Sequence, residues 1–152
     1  MKNTLVIIGI VAVFFGGSIW WSKSLQKSDP EVITRSGLHW HPILEIYVKG
    51  EKQEFPPNIG VGTQYASTPT YDPSMRMTAV HTHDDVDQGI IHLEFSGVVR
   101  KEDTKLGNFF KIWDKDFNSF GPDVKMSVNG QENTDLENYL MKDADKIELR
   151  YE

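Results

Sequence analysis

Apolar positions along this chain follow three successive patterns. The first is a continuous run, TLVIIGIVAVFFGGSIWW, from Thr4 to Trp21, without a single charge. It predicts one helix, and a bilayer core of roughly 30 Å asks for ~18–20 such residues, so the run is just long enough to span. Trp20 and Trp21 fit an interfacial belt, and no A-x-A-like cleavage site follows. An uncleaved transmembrane anchor over residues 1–22 is therefore expected rather than a removed signal peptide. Residues 23–36 are polar, contain Pro30, and read as a linker. Period two then takes over. Leu38, Trp40, Leu44, Ile46 and Val48 share one face; His39, His41, Ile43, Glu45 and Tyr47 share the other, with Pro42 interrupting. KGEK turns this strand into QEFP as a hairpin.

From Pro56 to Ala79 the chain is rich in Pro, Gly, Thr and Ser, which predicts an irregular excursion. GIIHLEFSG returns to period two, with Ile91, Leu93 and Phe95 inward and His92 and Glu94 outward. The third pattern is helical. Leu106, Phe109, Phe110 and Trp113 fall at i, i+3, i+4 and i+7, with Asp103 or Thr104 as N-cap and Gly107 weakening the helix slightly. VKMSVNG reads as a strand ending in an Asn-Gly turn, LENYLM as one helical turn, and DKIELRYE as a closing strand. These elements predict an α+β fold: a small, mainly antiparallel sheet packed on one helix, β-grasp-like, preceded by a single transmembrane helix. A β-sandwich carrying one helix is the alternative. The expected domain is 37–152.

Charge narrows the partners. The chain carries 22 acidic against 16 basic residues, a formal net charge of −6, and three of the bases (Lys2, Lys23, Lys27) lie in the N-terminal segment. The remainder is more acidic still, which disfavours nucleic acid and anionic headgroups. Cysteine is absent, so disulfides, thiolate zinc sites and cysteine nucleophiles are excluded. An export-like opening segment places the domain outside the cytoplasm, N-in, with the lipid bilayer as partner through residues 4–21.

Candidate chemistry rests on the five histidines. An H-x-H pair on a strand puts two imidazoles on one face, roughly 7 Å apart. The device occurs at His39/His41 and at His81/His83, and His92/Glu94 repeats the offset. Imidazole is the commonest metal ligand, so a transition-metal site is expected from His39, His41, His81, His83, His92 and Glu94. Without thiolates, copper and zinc lead; Met75 and Met77 offer thioethers to Cu(I). Other signatures fail. HTHDD matches five positions of the metallo-β-lactamase pattern H-x-H-x-D-H, but Val86 stands at the sixth. HWHPILE fits the cupin spacing at His39, His41 and Glu45, but the second cupin motif is missing. Asp84, Asp85 and Asp87 lack the EF-hand pattern and read as solvated. There is no G-x-S-x-G elbow.

HWHPILEIYVKG, FPPNIGVG, HTHDDVDQGIIHLE, LGNFFKIW, MSVNGQENT and ENYLMKDADKIELRY occur in this order over residues 37–151. The string resembles an uncharacterised family of small archaeal and bacterial proteins that often carry one N-terminal hydrophobic segment. The resemblance implies one domain with an export or anchoring segment, and no particular activity. Family members often have cysteines after the helix; their absence near FNSFGPDVK implies either that the histidine site does not need them or that this member differs. The expected function is a membrane-anchored extracytoplasmic domain binding Cu or Zn for buffering, delivery or sensing. Two alternatives stand beside it: a metal-dependent enzyme with a three-histidine site, and an adhesion or assembly module without metal.

Overall fold

The computed structural model describes residues 2–25 and 29–152, without the side chains of 2–8, 12 and 23–25. Linker residues 26–28, Lys27 among them, and the side chains of Lys2 and Lys23 lie outside this description. The chain divides into two units, Met1–Pro30 and Glu31–Glu152.

The first unit is helix α1 (Lys2–Leu25). Among the described residues, no helix is long and apolar enough to cross a membrane. This corrects the expected transmembrane helix, and with it the anchor, the bilayer partner through residues 4–21, the N-in orientation and the extracytoplasmic placement. The physical reason lies in the run itself. The described side chains of the run cover only residues 9–11 and 13–22, fewer than the ~20 a span needs, and Gly16, Gly17 and Ser18 interrupt them.

The second unit begins with strands β1 (Val32–Thr34), β2 (Leu38–Trp40), β3 (Ile43–Val48) and β4 (Glu51–Gln53). Next come β5 (Tyr71–Asp72), β6 (Met77–Thr78), β7 (Val80–His81), β8 (His92–Phe95) and β9 (Val99–Arg100). Helix α2 (Leu106–Ile112) then leads to β10 (Val124–Val128), β11 (Gln131–Asn133) and β12 (Lys146–Tyr151). Val32 and Thr34 pair with Arg100 and Val99, so the end of the stretch read as linker takes part in the fold.

The main sheet has the order β11-β10-β12-β3-β4, with β12 parallel to β3 and the other pairs antiparallel. A hairpin, a helix, a second hairpin, and a last strand beside the first make the β-grasp arrangement, compatible with the expected sheet-on-helix α+β class. Register explains why the apolar positions meet. Leu44 lies beside Ile147, Ile46 beside Leu149 and Val48 beside Tyr151, while Val128 and Met126 flank Ile147 and Leu149 from the other side. Leu106, Phe109 and Phe110 of α2 join the same core, and Phe109 meets Phe55 with ring centroids 5.3 Å apart. At about 1.5–3 kcal/mol per fully buried side chain, these rows dominate the favourable side of folding.

Local expectations fare unevenly. The Asn129-Gly130 turn has positive φ at both residues (54° and 79°), as a two-residue hairpin connection requires. Asp103 and Thr104 cap no α-helix. They belong to a 3-10 turn (Lys101–Thr104) that precedes α2, where Asp103 Oδ2 accepts from the Arg100 amide at 2.7 Å. Gly107 has a packing reason: a Cβ there would lie 3.0 Å from the Glu137 carbonyl oxygen. The excursion 56–79 contains a series of turns, one short 3-10 helix (Thr63–Tyr65) and the small β5–β6 hairpin.

Pro42 divides the first apolar stretch between two sheets. Leu38 to Trp40 leave the main sheet and join a three-stranded one, of order β2-β8-β7. The Ile91 amide donates to the Pro42 carbonyl at 3.0 Å and the Leu44 amide to the Gly89 carbonyl at 2.8 Å, fastening this second sheet to the first.

Candidate metal centre

Strand β8 is the middle of the second sheet, and its alternation decides the site. Leu93 is fully buried and packs in the core, so His92 and Glu94 project from the opposite face. Cross-strand register then supplies neighbours: His39 of β2 lies opposite Glu94, and His81 of β7 lies opposite His92. His41 and His83 sit just past the ends of β2 and β7. There the backbone leaves the strand, and both H-x-H pairs close to ring centroids 4.6 Å apart, shorter than a regular strand sets them.

All five histidines meet. His41 and His83 lie 4.9 and 4.8 Å from His92 by ring centroid, and His81 stacks on His92 at 5.4 Å and 13°. Two groups of three have ligand nitrogens all within 4.8 Å of one another: His39, His41 and His92, and His81, His83 and His92. Both are close enough to hold a metal ion. His81 Nε2 and His83 Nε2 are 3.1 Å apart. A tetrahedral ion with bonds of about 2.0–2.1 Å sets its nitrogens about 3.3 Å apart, so this pair needs almost no rearrangement.

The surroundings fix which nitrogen each ring offers. His81 Nδ1 donates to the Thr78 carbonyl at 2.9 Å, which leaves the Nε2 lone pair facing His83. His81 is fully buried, and its pKa falls from 6.5 to about 4, first because burial penalises the cation and further because His83 and His92 stand nearby. The ring is thus neutral at pH 7, the form that binds metal. His92 Nε2 donates to Asp85 Oδ2 at 3.0 Å, so its lone pair resides on Nδ1. That Nδ1 is buried and has no hydrogen-bond partner among the described residues, and the same holds for Asp85 Oδ1. A buried acceptor without a donor is costly unless something binds it. His39 Nε2 lies 2.9 Å from Glu94 Oε1, and the His41 amide donates to Asp143 Oδ1 at 2.9 Å. Two imidazoles backed by carboxylates and a third backed by a carbonyl make the usual setting of metal-bound histidine.

Of the residues expected to bind metal, the histidines come together in these two groups, while Glu94 stands behind His39 and belongs to neither. Met75 and Met77 line a cavity of about 690 Å³ that His39 and Glu94 also border. Glu45, of the cupin-like spacing, is turned to Lys52 at 2.7 Å. Sequence reasoning missed Thr78, Thr82 and Asp85. Thr82, fully buried between His81 and His83, accepts from the Ile59 amide and donates to the Pro56 carbonyl, tying the excursion beneath the site. Adjacency in HTHDD was the one available hint for Asp85. No protein-family profile, curated protein or solved structure matches this chain, so the function is argued from the site alone.

Proposed function

We propose that this protein is a transition-metal-binding module that holds a zinc or copper ion for buffering, delivery or sensing. The observation that carries the reading is His92 Nδ1, a buried lone pair without a partner at the junction of two histidine triads. Nitrogen donors with carboxylates behind them suit Zn or Cu(II) and exclude the oxygen-seeking Mg and Ca. The test is to strip the full chain with chelator, titrate Zn²⁺ and Cu²⁺ separately, and analyse the product for metal. We expect stoichiometric uptake that His81→Ala with His83→Ala abolishes; uptake indifferent to that pair, or none, ends the proposal.

The cavity beside His39 and Glu94 favours one second reading, a metal-dependent enzyme in which three histidines hold the ion and a carboxylate acts as base. Turnover of a small ester by the zinc-loaded chain, lost in Glu94→Gln with metal retained, is the outcome that would separate it from simple binding.

A further inference from the structure

The two triads share one residue, and this has a chemical implication for how an ion moves. His92 spends its Nε2 proton on Asp85, so only Nδ1 has a lone pair to give. One lone pair serves one ion at a time. The groups His39–His41–His92 and His81–His83–His92 are therefore alternative positions for a single ion, not two independent sites.

Exposure orders them. The His39 side chain is 60% exposed, that of His92 is 12% exposed, and His81 is fully buried. His41 and His83 are both half-buried, so His39 and His81 set the order, and an ion from solvent meets His39 first. The inner nitrogens are within 4.8 Å of His92's, so a new ligand can bind before an old one leaves, and a bare ion need never cross the gap. Glu94 beside His39 and Asp85 beside His92 place carboxylates at both stages, which favours the cation along the route.

We infer that the five histidines form a two-step relay, with His39 and His41 as the outer loading position, His81 and His83 as the inner holding position, and His92 as the shared ligand that carries the ion between them. This rests on the metal-binding reading above and adds to it a path and a direction.

Zinc is the probe, with the full chain stripped of metal. Stoichiometry, equilibrium affinity, uptake rate and chelator-driven release rate are measured for wild type, His39→Ala, His41→Ala and His83→Ala. Loss of an outer ligand raises a barrier without changing the end states, so His41→Ala should slow uptake and release together, each by about tenfold or more, and leave Kd within about twofold. His39→Ala should act in the same direction; its exposed ring makes misfolding no explanation. His83→Ala should weaken Kd by about 10–100-fold. Two ions bound per wild-type chain would overturn the relay. So would His39→Ala and His41→Ala variants that weaken Kd as much as His83→Ala at unchanged uptake rate, which would mean one undivided site. Absence of any uptake by wild type is a different failure, because it removes the metal-binding reading itself.

Discussion

His92 is held on one ring nitrogen by Asp85 and on the other by nothing among the described residues, and this asymmetry decides what substitutions nearby will do. Asp85→Asn keeps the volume but removes the charge that orients and enriches the ring, so zinc affinity should fall about 10–100-fold in a competition titration with the fold intact. His81 makes a separate prediction, about stability. Its pKa is depressed to about 4 in the fold, whereas the unfolded chain titrates near the ordinary 6.5. Between those values the unfolded state binds the proton and the folded state does not. The contribution is therefore complete above pH 6.5 and is lost as pH falls toward 4, on the order of 3 kcal/mol in all. Urea midpoints of metal-free protein at pH 7 and pH 4.5 should show the loss, and His81→Gln should remove that component. The histidine cluster was legible in the sequence because the H-x-H device recurs and because His92 sits opposite an aliphatic strand face. Asp85 and Thr78 were not, because their role depends on which side of a turn meets which ring, and no spacing rule encodes that.

At the scale of elements, β8 links two functions through its alternation: Leu93 belongs to the core and His92 to the site. Such period-two strands were readable, as were the Asn-Gly turn and α2. What failed had a local cause. The apolar opening run predicts a span, whereas the part of it with described side chains, residues 9–11 and 13–22, is too short for one. Asp103 and Thr104 had the chemistry of helix caps, yet serve a 3-10 turn one step earlier. The β5–β6 hairpin and the shortened H-x-H distances arise where strands end, and pattern reading is weakest there. Gly60 makes this scale testable. It has φ of +79°, and a Cβ would lie 2.7 Å from the Val80 carbonyl and 3.1 Å from His81 Cβ. Gly60→Ala should destabilise the fold by about 1–3 kcal/mol and displace His81, lowering the urea midpoint and the zinc affinity together.

For the folded unit as a whole, the site and the core share a scaffold, so binding and folding are coupled. An ion that binds only the native state stabilises it by about 2.7 kcal/mol at a hundredfold excess over Kd, roughly 10 °C in Tm for a unit of this size. Saturating zinc should raise Tm by that order, chelator should reverse it, and His83→Ala should blunt it at equal zinc. The acidic balance of the chain agrees with a cation as partner, and this was legible from composition alone. The parallel pairing of β12 with β3 was not, since a crossover leaves no trace in local periodicity.

That crossover also sets a schedule. The His41 amide is tied to Asp143, and the Ile43 amide to the Asp145 carbonyl, both just ahead of β12. The first ligands of the site are thus positioned by residues about a hundred places later in the chain. During synthesis, every histidine has left the ribosome well before the segment that orders His41 exists. Pairings this distant in sequence form slowly. A nascent chain consequently presents its histidines as scattered, weak ligands, and acquires a defined coordination geometry only once the last strand has docked.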